Sequence, residues 1–196
     1  MTSSERKAVE VIDATIEDTF RHCPSVLIDI RTGHICHGTH RICTFAAEPT
    51  FQTLVLSMAT KFDWEHIQEA VEDYFRYVGF SHKWDEQSQE PLFQHVKSKS
   101  VYNLGSSPTN DKLRKFCETV RDPGHRWAWS DTCCIDQTDS NVLNSAITSM
   151  YKWYENAVLM IALLENIRNS DGFGECLDDE GLDTPRTPCV QSDPLP

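Results

Sequence analysis

Two short segments place chemistry-bearing side chains where an apolar run stops. In Tyr77-Val-Gly-Phe-Ser-His-Lys-Trp-Asp85 the apolar residues end at Phe80, and Ser81, His82, Trp84 and Asp85 emerge together. In Trp127-Ala-Trp-Ser-Asp-Thr-Cys-Cys-Ile-Asp-Gln137 the apolar run ends near Ser130, and polar and thiol side chains crowd the stretch before a helix. Ligands of open α/β sheets bind beyond the carboxyl ends of strands. The two segments therefore define one candidate pocket: Ser81, His82, Trp84, Asp131, Thr132, Cys133, Asp136 and Gln137. The N-terminus of the following helix presents free N–H groups and a partial positive charge, which suits a phosphate or carboxylate.

Several chemistries are open to these residues. Cys133 with His82 makes a nucleophilic dyad if the two lie within hydrogen-bond reach; otherwise Cys133 is a buried, inert thiol. Asp131 and Asp136 make an acid/base or metal pair, or they cap and close turns. Ser81 and His82 line a nucleotide pocket, or they hydrogen-bond the loops at a strand end. Trp84, Trp127, Trp129 and Trp153 stack on a base, or they fill the core. A second cluster, His22, Cys23, His34, Cys36, His37, His40 and Cys43, holds zinc-type ligands. It lacks the paired CxxC or C2H2 spacing of structural zinc sites, so no metal is expected. If zinc binds, the ligands come from Cys23, His34, Cys36, His37, His40 and Cys43.

These residues need elements to position them. Thr2-Ser3-Ser4-Glu5 has capping-box spacing, and Val9, Ile12, Ile16 and Phe20 follow at near-helical intervals. Pro24 ends that helix, and Ser25 to Ile30 reads as a strand, followed by a Thr32-Gly33 turn. A weak second strand is expected near Arg41 to Phe45. Pro49 opens a helix with Phe51, Leu54, Val55 and Met58 on one face, and Asp63 caps another with Trp64, Ile67, Val71, Tyr74 and Phe75 on one face. Tyr77 to Ser81 reads as a buried strand. Pro91 opens a short helix. Leu113, Phe116, Cys117 and Val120 mark a further helix, and Arg126 to Ser130 a strand. Asp139 or Ser140 caps a helix with Leu143, Ala146, Ile147, Met150 and Tyr154 facing inward, and Ala157 to Leu164 reads as a buried strand. This alternation predicts a parallel sheet covered by helices.

Composition narrows the partners. The chain has 196 residues and a formal net charge of -12. That acidity opposes binding to duplex nucleic acid or to an anionic membrane. Residues 171–196 hold seven acids and one base, with four of the nine prolines. They lack the apolar surface to offset ordering entropy, so 166–196 is expected to be a disordered acidic tail. The N-terminus carries no apolar stretch of a secretory signal, and no apolar run approaches the ~20 residues of a membrane span. Eight cysteines without such a signal predict a reduced, cytoplasmic protein.

The two segments also resemble a known family. Tyr74-Phe-Arg-Tyr-Val-Gly-Phe-Ser-His-Lys-Trp84, followed by Glu90-Pro-Leu92, resembles the first block of fungal heterokaryon-incompatibility (HET) domains. Trp127 to Gln137, with Ser149-Met-Tyr-Lys-Trp-Tyr154, resembles their second block. Cys23-Pro24 and Leu27-Ile-Asp29 are similar to the lead-in strand of basidiomycete-type members. The resemblance implies an α/β, parallel-sheet, TIR-like or flavodoxin-like sandwich over 23–165, incomplete here, with 1–22 as a helical extension. It implies a role in non-self recognition and programmed cell death, with other protein domains, a second copy or intact HET relatives as partners.

TIR relatives cleave NAD with a helix glutamate, which makes NAD the conceivable cofactor. Here Ser140-Asn-Val-Leu143 puts Val142 where similar members have that glutamate, and valine cannot act as a base. The Gly-Trp-Thr-Leu-Gln-Glu-like third block is missing after Leu164. Both departures point to a non-catalytic interaction module as the alternative to an active effector or a TIR-like NAD hydrolase.

Overall fold

The structure, a computed structural model, describes residues 2–60, 63–84 and 89–163. Helix α1 (Ser3–Arg21) begins at the expected capping box: the Thr2 hydroxyl accepts from the Glu5 N–H, and the Glu5 carboxylate accepts from the Thr2 N–H at 2.7 Å. Strands β1 (Val26–Asp29) and β2 (His34–His37) form a hairpin. Its turn needs Gly33, whose φ of 70° lies in the left-handed region. Then follow α2 (Gly38–Ala47), α3 (Pro49–Thr60), α4 (Trp64–Phe75) and β3 (Tyr77–His82). Asp63 caps α4 through the His66 N–H. The second half runs α5 (Phe93–Val96), α6 (Pro108–Arg121), β4 (Trp127–Ser130), α7 (Asp131–Cys134), α8 (Ser140–Glu155) and β5 (Leu159–Leu163).

The five strands form one sheet in the order β2-β1-β4-β3-β5. It is α/β but mixed, not parallel as expected. β4 runs parallel to β3, and β3 to β5, whereas β1 is antiparallel to both β2 and β4. The tight turn accounts for the β1–β2 pair, since a parallel pair needs a long crossover. Two further expectations are corrected. Residues 41–45 are helical, within α2, and the second strand lies upstream at His34–His37. β5 is a half-buried edge strand, because it pairs on one side only among the described residues. The tail 166–196 lies outside the described residues.

Strand alternation assigns the helices to faces. Phe80 of β3 stacks on Phe116 of α6 at 4.4 Å between ring centroids. On the other face, Trp129 of β4 meets Trp153 and Tyr154 of α8 at 5.8 and 5.2 Å. The Tyr77 hydroxyl donates to the Trp153 carbonyl on that same face. Thus α6 and α8 cover opposite sides of the parallel strands. Gly79 leaves space on the α8 face that the Met160 sulfur fills; a Cβ there would stand 2.2 Å from it.

A second core lies entirely among helices. Ala8, Ile12 and Ile16 of α1 pack with Phe45, Leu54, Ile67, Val71 and Phe75. Trp127 joins the two cores: it is fully buried, and its indole N–H donates to the Tyr74 carbonyl at 2.8 Å. Arg126 covers its ring at 4.7 Å and bonds Glu48 at 2.8 Å and Asp29 at 3.4 Å. Arg41, at 0% exposure, lies 4.4 Å over Phe20 and donates to the Pro24 carbonyl at 2.7 Å. Its Nε and Nη1 find no acceptor among the described residues. Burial pulls its pKa down to about 10, against the surrounding thiols and Tyr77.

Candidate functional site

The parallel register of β3 and β4, with Phe80 opposite Ser130, brings both sequence segments to one end of the sheet. Ser81 and His82 end β3, and Asp131 follows β4 directly. Alternation sends their side chains apart: His82 shares the Phe80 face, stacked on that ring at 4.5 Å, while Ser81 is exposed on the opposite face.

The His82 side chain is only 2% exposed. Its Nε2 faces Glu90 Oε2 at 3.4 Å, and Glu90 in turn meets Lys112 Nζ at 3.3 Å. Lys112 also donates to the Lys83 carbonyl at 3.2 Å. Glu90 is 5% exposed and Lys112 9%, so this is a buried row of histidine, carboxylate and ammonium. His82 Nδ1 is buried without a partner among the described residues. In the tautomer with the proton on Nε2 directed at Glu90, Nδ1 presents a hydrogen-bond acceptor.

Asp131 is electrostatically coupled to His82, and the Thr132 backbone N–H and the Trp84 indole also favour its charged form. Burial nevertheless holds its carboxyl above the ordinary range, the opposing pull of His82 and the two donors being smaller. Trp84 itself is 43% exposed, so it lies at the surface and not in the core. Trp127 and Trp129, by contrast, are core residues. Asp85 lies outside the described residues.

The other candidates separate from this group. Thr132 is buried and hydrogen-bonded to Ser130 at 2.8 Å between hydroxyl oxygens. Cys133 is fully buried, and its partners are Cys134, Ser130 and Cys117, not His82. The hydrogen bond to Cys134 and complete burial push its thiol well up, which makes it a poor nucleophile. Asp136 closes a turn: it accepts from the Thr138 N–H and hydroxyl and from Gln94 of α5. The Thr138 hydroxyl, first among these, holds its carboxyl low. Gln137 is half-buried in the same loop.

The histidine–cysteine cluster spreads out. His34, Cys36 and His37 lie on β2, His40 and Cys43 on α2, and Cys23 follows α1. Four of them border a surface groove of about 470 Å³: His34, Cys36, His37 and His40. Among the described residues no group of three or more His, Cys, Asp or Glu side chains is placed to hold a metal.

Glu90 and Lys112 are the site residues that motif reading passed over. Glu90 carried a signal, its place before Pro91 in the first block. Lys112 carried none: its position follows from the rotation of α6, fixed by burial of Leu113, Phe116, Cys117 and Val120.

The sign of the Asp131 shift sets a stability expectation. Folding favours the neutral carboxyl, so its ionisation costs stability as pH rises from 3.8 through its raised folded value. Asp131→Asn keeps an acceptor for Trp84 and the Thr132 N–H without the charge. It is expected to raise stability by about 1 kcal/mol, read as an increased melting temperature at pH 7. A lower melting temperature would show the carboxylate to be a net anchor.

A polar cluster at the carboxyl end of an open α/β sheet is the arrangement of a ligand- or partner-binding α/β module. The family is then decided by comparison. The family model for heterokaryon incompatibility proteins (HET) matches residues 77–184, and the chain belongs to that family. It is also 32% identical over 101 residues to the vegetative incompatibility protein HET-E-1 of Podospora anserina. That alignment covers 49% of this chain but only 7% of the relative. No solved structure matches. Among the described residues no helix is long and apolar enough to cross a membrane.

Proposed function

We propose that this chain is a HET module of fungal non-self recognition, and that it signals cell death through the cluster around His82 and Asp131. The observation that carries this reading is the family match, whose segments β3 and β4 deliver those two side chains to one end of the sheet. The chain acts in the cytoplasm, with intact HET relatives or other protein domains as partners. We read the parallel β4-β3-β5 unit, with α6 and α8 on opposite faces, as the TIR-like part of the fold. The test is expression in a filamentous fungal host. Growth is expected to slow or stop, and Asp131→Asn to restore it at equal protein level. Normal growth with abundant native protein would sink the reading.

One observation favours a second reading, a non-catalytic interaction module. Val142 stands in the first turn of α8 where similar members carry glutamate, and it is 40% exposed. It offers apolar surface where a base would be needed for a TIR-like NAD hydrolase. NAD turnover by the native protein would refute the interaction reading.

A further inference from the structure

We propose that the α8–β5 face is a self-association surface, on which a second copy of this chain docks about a twofold axis. The inference rests on the interaction-module reading and gives it a surface and a partner. Of the sixteen residues of α8, Ala146 is the one that is buried. Ile147, expected to face inward, is 61% exposed, and Tyr151, one turn on, is 76% exposed. The inward ridge is Leu143, Ala146, Met150 and Trp153, which leaves the Ile147–Tyr151 ridge turned outward. Val158, also exposed, lies in the connection to β5.

β5 itself is Leu-Met-Ile-Ala-Leu, five apolar residues of which none is buried. It is an edge strand with its outer side unpaired among the described residues. Natural edges are blunted by lysine, proline or charge, and β5 has none of these. The opposite edge, β2, is short and presents His34 and His37 to solvent.

Charge selects the occupant. Residues 171–196 account for -6 of the net -12, and the rest of the chain carries the other -6, so two copies repel across most of their surface. Residues 140–163 hold one base, Lys152, and one acid, Glu155, and are neutral. Both are exposed and lie one turn apart on α8. A twofold axis through this face sets Lys152 of one copy toward Glu155 of the other, which is the self-complementarity an isologous interface needs.

The test uses the full chain in sedimentation equilibrium at roughly 1–200 μM in physiological salt, where long-range repulsion is screened. A concentration-dependent dimer is expected. Ile147→Lys/Tyr151→Lys, at exposed positions, and separately Ala162→Lys, on the exposed edge of β5, are expected to weaken it about tenfold or more with unchanged circular dichroism. A native chain that stays monomeric at the highest concentration overturns the proposal, as does a dimer that survives both variants. A monomeric chain that still binds an intact family member overturns it too, while leaving the interaction reading standing.

Discussion

Trp127→Ala is expected to cost about 4 kcal/mol of folding stability. A small domain holds only about 5–15 kcal/mol in total, so the variant loses between about a quarter and four-fifths of its margin. The effect is large because one side chain serves both cores. Its ring is fully buried, its N–H satisfies the Tyr74 carbonyl, and Arg126 stacks on its face. Its backbone pairs with Asp29 on one side and Tyr77 on the other. Truncation therefore opens a cavity, orphans a carbonyl and strips the packing from a guanidinium at one point. Urea denaturation followed by circular dichroism measures it. Trp84→Ala, at a half-exposed ring, is the contrast and is expected to cost about 1 kcal/mol or less. A loss under about 1.5 kcal/mol for Trp127→Ala would mean that other contacts hold the helical core to the sheet.

The second large effect is alkaline unfolding. Burial pushes the Cys117 thiol from 9.0 up to about 12 and the Tyr74 phenol from 10.0 up to about 12. Cys133 and Tyr77 are also raised, Cys133 by its Cys134 hydrogen bond and burial, Tyr77 by burial. All four are neutral when protonated. Below pH 9 the folded and unfolded chains both hold these protons, and stability does not change. Above pH 9 for the two thiols, and above pH 10 for the two phenols, the unfolded chain releases protons that the fold retains, so stability falls by about 1.4 kcal/mol per pH unit for each group in its own window.

Cys117 alone removes about 2 kcal/mol between pH 9 and 10.5. Arg41 works in the opposite direction, because its folded pKa is lowered to about 10, and it offsets one group above that pH. Melting temperatures are expected to drop steeply from pH 9 upward, and Cys117→Ala to flatten the slope by about one group's worth. Equal melting temperatures at pH 8 and 10.5 would contradict the burial assigned to these thiols and phenols.

Apolar runs and caps made most elements legible. Tyr77 to Phe80 and Trp127 to Trp129 are buried on both faces of the sheet, and such strands advertise themselves as continuous apolar stretches. Strand direction was not legible: the hairpin turn sets β2 against β1, but nothing in Val26–Asp29 says that β1 runs against β4. Residues 41–45 misled because the inward face of α2 begins with a buried arginine, and Arg41 reads as solvent-facing in any pattern of polarity. In the site, His82 and Asp131 stood out because they interrupt apolar runs. The buried row of His82, Glu90 and Lys112 was not readable, since it joins residues 8 and 22 apart through a loop and a helix rotation.

The sheet order also sets a schedule during synthesis. The helical core closes within residues 8–75, and the β1–β2 hairpin within 26–37. β4, however, lies between β1 and β3 and leaves the ribosome after both of them. Residues 28 and 128 must pair before the sheet is continuous. Since chains lengthen at about 5–20 residues per second, the helical half has seconds to settle while a gap waits at the centre of the sheet. The nascent chain thus holds open, for that interval, the slot into which its tryptophan-bearing strand must insert.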